Sequence, residues 1–167
     1  MIKIFIDTCA YCDAVKINSS GKKKEDIDAL KEIRDLALKN QIKIYMGKYN
    51  YDELCRASEI TFKKTDEFWD NLVKFPEEEV ALEDSHLYSY NKLKNELEDK
   101  DGADSKIIVE AEYSNADYFI TTDYKRINSL SKSKKLFNTK VMRPADLSKD
   151  LLHHRKKISK SRFTKYY

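Results

Sequence analysis

Apolar positions along the chain recur in two rhythms. Residues 2–6 (Ile-Lys-Ile-Phe-Ile) are β-branched or aromatic around one lysine and read as a short buried strand. A helical turn is expected from Ala10. From Glu25 to about Lys39, Ile27, Leu30, Ile33 and Ala37 recur at steps of three and four, which predicts an amphipathic helix. Residues 42–46 (Ile-Lys-Ile-Tyr-Met) read as a second strand, ended by Gly47. Residues 50–74 carry apolar Leu54, Ala57, Ile60, Phe68, Leu72 and Val73 at helical spacing, with a break expected near Ser58 and Pro76 closing the segment. Glu79–Leu82 reads as a minor strand or extended linker, and a helix is expected within 84–98. Residues 104–114 are helical by their Ile107, Ile108 and Ala111 face. Tyr118–Thr121 and Thr139–Met142 complete the strands.

Strands separated by helices predict an α/β fold with a mostly parallel sheet of four or five strands and helices on both faces. Of the 167 residues, 41% are hydrophobic and 37% charged, enough apolar material for one core under a highly charged surface. The division expected is one domain over 1–148 and a basic C-terminal tail over 149–167. The tail holds seven Lys/Arg against Asp150 alone, within a chain of net charge +3, so the body is mildly acidic. Arg155, Lys156, Lys157, Lys160 and Arg162 are candidate contacts to RNA phosphates, weighed evenly against a solvated end. The opening apolar run is too short for a signal sequence, and no run is long enough to span a membrane. A soluble, cytoplasmic protein is expected. Three cysteines at irregular spacing, Cys9, Cys12 and Cys55, do not form a disulfide framework.

Ligands of open parallel sheets bind beyond the carboxyl ends of the strands. Asp7 follows the first strand directly, and Asp123 lies just past the strand ending near Thr121. Either acid alone is more often a helix cap. Asp52-Glu53 and Asp104 are read as helix-opening acids, which the helix dipole also favours. Together these acids describe a carboxylate cluster at one sheet edge, where repulsion is costly unless a cation sits among them. Hard oxygen donors suit Mg²⁺ or Mn²⁺, and such ions support phosphodiester chemistry.

The run Ile4-Phe5-Ile6-Asp7-Thr8 resembles the opening strand of PIN domains, and Tyr51-Asp52-Glu53-Leu54 is similar to that family's acid–Leu motif. Residues 104–123, from Asp104 through an Ile- and Ala-rich stretch to Thr121-Thr122-Asp123, resemble its helix, turn and Thr-x-Asp strand end. Val141–Leu147 resembles its final strand and Pro-led exit. The resemblance spans about 2–147. It implies a flavodoxin-like three-layer α/β/α fold and a metal-dependent ribonuclease. Asp7, Glu53, Asp104 and Asp123 would be the catalytic, metal-ligating acids, with Thr8 and Thr121 in support. It also implies kinship with toxins of toxin–antitoxin pairs, and so a small antitoxin partner or a homodimer. The chain departs from the family in placing Lys125-Arg126 after Asp123, which weakens a second metal site or brings cations to the RNA backbone. Asp101 and Asp52 are the alternatives to Asp104 and Glu53. The segment 58–100 is longer than in compact members and predicts an added helix or lid.

Two rival readings remain. One is a PIN-like module that binds RNA or a partner without cleaving. The other is a thiol redox protein using Cys9-Ala-Tyr-Cys12, a C-x-x-C at a helix start, where a thiol pKa is ordinarily lowered.

Overall fold

In the computed structural model, five strands lie side by side in the order β3-β2-β1-β4-β5, every neighbouring pair parallel. They are Ile2–Ile6 (β1), Ile42–Tyr45 (β2), Val73–Lys74 (β3), Tyr118–Ile120 (β4) and Lys140–Met142 (β5). The helices are Thr8–Asp13 (α1), Gly21–Leu38 (α2), Lys48–Cys55 (α3), Glu59–Trp69 (α4), Ala103–Tyr113 (α5), Tyr124–Lys132 (α6) and Pro144–Phe163 (α7). The structure describes residues 1–16, 19–56, 59–74, 90–92, 94–95, 103–132 and 137–163, with no side chains at 59–61, 103–104, 131–132 and from 154 onward. Residues 90–92 and 94–95 are helical, as expected within 84–98, whereas the expected strand at 79–82 and most of the expected lid lie outside the described residues.

β1 is the central strand and explains the apolar run that announced it. Ile4, Phe5 and Ile6 are all fully buried because the sheet is covered on both faces. Ile4 and Ile6 join a core built with Leu30 and Ile33 of α2 and Leu147 and Leu151 of α7. Phe5 points to the opposite face, among Ile107, Ile108 and Ala111 of α5, and packs on Phe119 with ring centroids 6.0 Å apart. The alternation of strand side chains thus builds two cores, and the fold is a PIN-like three-layer α/β/α sandwich. Each such fully buried aliphatic side chain stabilises the fold by about 1.5–3 kcal/mol.

The chain runs from β1 outward to β2 and β3, returns to the other side of β1 for β4, and ends at β5. The topological switch point therefore lies between the carboxyl ends of β1 and β4.

Four expectations change. The helical run read through Val73 ends at Trp69. Asp70 and Asn71 take left-handed φ of 45° and 58°, which turns the chain into edge strand β3. The third helix begins at Lys48, so Glu53 stands in its last turn and not at its opening. A helix not expected from the sequence, α6, follows Asp123 directly and turns Tyr124, Ile127 and Leu130 to one face. Finally, α7 continues through the 148/149 boundary, and Leu151 is buried in the core, so the basic segment starts as helix and not as a free arm. Among the described residues no helix is long and apolar enough to cross a membrane.

Candidate functional site

Asp7 and Thr121 meet at the switch point. Asp7 is fully buried and stands at the position preceding α1, yet its carboxylate makes no capping bond to that helix. Its Oδ2 accepts the Thr121 hydroxyl at 2.5 Å, and its Oδ1 accepts Nη1 of Arg126 at 2.7 Å. The cap reading of Asp7 thus fails, because both oxygens turn toward β4 and α6. Burial raises the Asp7 carboxyl above the usual range. The Arg126 charge and the Thr121 hydrogen bond oppose that, and the Glu53 charge adds to it.

Asp123 shows the opposite outcome. Its Oδ1 accepts the backbone N–H groups of Lys125 at 2.9 Å and Arg126 at 3.2 Å, so it is the cap of α6. Its own N–H donates to Thr121 Oγ1 at 3.0 Å. Asp123 also lines an open cavity of about 390 Å³ at the switch point, with Thr8, Cys9, Cys12, Asp13 and Thr122. Capping and a place in the cavity wall coexist in this one residue.

Glu53 is exposed on α3, and its charge is felt at Asp7 and at Cys9. The helix that carries it is held from the other face of the sheet. Glu110 of α5, buried among apolar residues, accepts the Lys48 N–H at 3.0 Å. Burial pushes the Glu110 carboxyl up to about 7 against the pull of the Tyr49 and Lys48 amides. Gly47 is required there, since a methyl group would run into the Glu110 carboxylate and the Phe5 ring. Asn50, fully buried on α3, donates from Nδ2 to the Ile6 carbonyl at 3.0 Å, and Thr8 donates its hydroxyl to the Asn50 carbonyl at 3.2 Å. Thr8 therefore ties α1 to α3 beside Asp7, while Thr121 donates to the Asp7 carboxylate directly.

Asp104 lies in the first turn of α5 by its backbone, and its side chain is outside the described residues, as is Asp101. The side chains of Arg155, Lys156, Lys157, Lys160 and Arg162 are likewise outside them, although their backbone is helical.

The role of Arg126 escaped the sequence reading, as did Glu110 and Asp13 altogether. Arg126, expected with Lys125 to weaken a second metal site or to bring charge to the RNA backbone, points inward with its side chain only 11% exposed and pairs with Asp7. Glu110 sits on an ordinary-looking helix face, and no motif marks it. Asp13, buried beside the cavity, accepts the Thr122 hydroxyl at 2.7 Å and is bridged by Lys16 at 2.5 Å and Lys23 at 3.2 Å. Burial alone would raise its carboxyl, but the Lys16 and Thr122 hydrogen bonds hold it below the usual range.

The donor types fit a hard divalent cation. They are carboxylate oxygens, and the buried Asp7 beside the Glu53 charge is an environment that a cation relieves. In this conformation the Arg126 guanidinium supplies that charge. Among the described residues no three His, Cys, Asp or Glu side chains are grouped as the ligands of an ion.

The C-x-x-C pair behaves unlike an activated dithiol. Desolvation, then the Asp7 charge, pushes the Cys9 thiol up to about 12, and burial and Asp13 raise Cys12 as well. Thiolate chemistry needs the reverse shift.

No protein-family model matches the chain, and no curated protein sequence matches it. A solved structure does. The chain is similar in fold to VapBC2 from Rickettsia felis, crystallised bound to a DNA fragment from their promoter. The TM-score is 0.50 at 16% identity, covering 84% of this chain and 98% of that one.

Proposed function

We propose that this protein is a metal-dependent ribonuclease that hydrolyses RNA phosphodiester bonds with Mg²⁺ or Mn²⁺ held by Asp7, Glu53, Asp104 and Asp123. The observation that carries the reading is the fully buried Asp7 carboxylate at the β1/β4 switch point, clamped by Thr121 and close enough to Glu53 to feel its charge. When bound, the ion would lower the pKa of a water and stabilise the charge of in-line displacement. The protein's own part is to keep Asp7 dry and oriented through Thr121. It also supplies Asp123 at the cavity wall, presents Glu53 from an α3 anchored by Glu110, and offers Lys16 and Lys23 on the same cavity for phosphate. The order of the PIN-like motifs along the chain and the shared three-layer fold support the same assignment.

The fold likeness to VapBC2 further supports a toxin of a toxin–antitoxin pair, with a small protein partner; a cytoplasmic place of action is an expectation from the sequence. A homodimer is part of the same proposal. The competing reading is a PIN-like module that binds without cleaving, and the inward Arg126 is the observation in its favour.

Cleavage of single-stranded RNA with Mn²⁺ or Mg²⁺ decides between them. Asp7→Asn and Asp123→Asn should each reduce cleavage at least about a hundredfold. Asp123→Asn should leave stability unchanged. Asp7→Asn should lower it by leaving Arg126 buried without its counter-charge, so its folding is checked by circular dichroism. Asparagine still accepts the Thr121 hydroxyl, and it still caps α6. Full activity in EDTA, or in Asp7→Asn, would sink the metal mechanism, and binding without cleavage would favour the module.

A further inference from the structure

Arg126 and Asp7 form an ion pair with almost no water-facing side. Asp7 is 0% exposed and the Arg126 side chain 11%, and Nη1 sits 2.7 Å from Oδ1. Thr121 already takes Oδ2, so both carboxylate oxygens are engaged. The pairing is set by the fold. Asp123 caps α6 through the Lys125 and Arg126 amides, which places Arg126 in the helix's first turn, directed back at β1. Asp123, three residues past β4, therefore fixes the helix turn that aims the cation at the carboxylate across the switch point.

We infer that Arg126 is a built-in competitor of the divalent cation at Asp7, an internal positive charge that must leave Oδ1 before metal can bind there. This rests on the metal-nuclease reading above. A divalent ion and a guanidinium on one carboxylate oxygen repel each other strongly in a buried site, where water does not screen them. Yet the pair cannot simply be abandoned, since a buried carboxylate without a counter-ion is costly. Arg126 thus keeps the metal-free enzyme folded and closed, and metal affinity is reduced by the work of displacing it.

The test is Mn²⁺ titration by calorimetry on the intact chain, wild type against Arg126→Gln. The variant should bind Mn²⁺ about tenfold or more tightly, the usual scale for coupling between two ligands of one site. Its melting temperature without metal should fall below wild type and rise more on adding Mn²⁺. In case the variant fails to fold, the Arg126 guanidinium signals of the wild type are followed by NMR during a Mg²⁺ titration. They should shift as the ion binds. Equal or weaker Mn²⁺ affinity in Arg126→Gln, or Arg126 signals that stay still while Mg²⁺ binds, would overturn the competitor and leave the nuclease reading standing. No binding of either ion to either protein would overturn both.

Discussion

Thr121 donates its hydroxyl to Asp7 Oδ2 at 2.5 Å, and Thr121 Oγ1 in turn accepts the Asp123 backbone N–H at 3.0 Å. One side chain at the end of β4 thereby joins the acid after β1 to the acid that starts α6. Such a bridge between a buried hydroxyl and a carboxylate is short and charge-assisted, and removing one partner leaves the other unsatisfied.

Thr121→Val keeps the β-branched shape and removes only that bridge. It should destabilise the protein by about 1–3 kcal/mol, the cost of an orphaned buried partner, and lower any metal-dependent cleavage with it. Urea unfolding measures the first effect, with Thr121→Ser as the variant that retains the hydroxyl. Equal midpoints for the Val and Ser variants would show that the bridge contributes nothing.

Glu110 gives the stability a pH dependence of known sign. Its folded carboxyl titrates at about 7, against an ordinary value of 4.5, so between those values folding takes up a proton. The Glu110 contribution should therefore decline as pH rises through this window and level off above about 7. Glu110→Gln, which can still accept the Lys48 N–H, should remove that decline. Unfolding midpoints at roughly pH 5 and pH 7.5 compare the two proteins. Parallel changes in both would exclude Glu110 as the source.

The basic C-terminal segment is best tested by substitution. Truncation from 149 would strip Leu151 from the core and confuse binding with folding. Replacing Arg155, Lys156, Lys157, Lys160 and Arg162 by Ala should weaken RNA binding and flatten its salt dependence. Each lost phosphate contact should change the logarithmic slope by about 0.7 for a single strand. An unchanged slope in a filter-binding series would reduce the segment to a solvated end.

Much of this architecture is legible along the chain, and the illegible parts share a cause. Ile2–Ile6 and Tyr118–Ile120 announce themselves because a parallel sheet covered on both faces favours near-continuous apolar runs, broken here only by Lys3. α6 is harder to find because it is short: its apolar face is Tyr124, Ile127 and Leu130 at steps of three, and its cap, Asp123, reads equally well as a strand-end acid. Two-residue β3 carries too little pattern to separate it from the helix before it. The start of α3 is also hidden, because the Glu110 carboxylate that meets its first amide lies 62 residues away.

The sequence by itself determined that Asp7 and Asp123 follow strands, since strand ends are local events of hydrophobicity and turn chemistry. Only the tertiary structure decided that these strands are neighbours, that Asp7 faces Thr121 and Arg126 while Asp123 caps α6, and that Arg126 turns inward. Partners 114 and 119 residues apart in the chain are chosen by strand order and burial, and a desolvated carboxylate takes whichever cation the fold brings within reach.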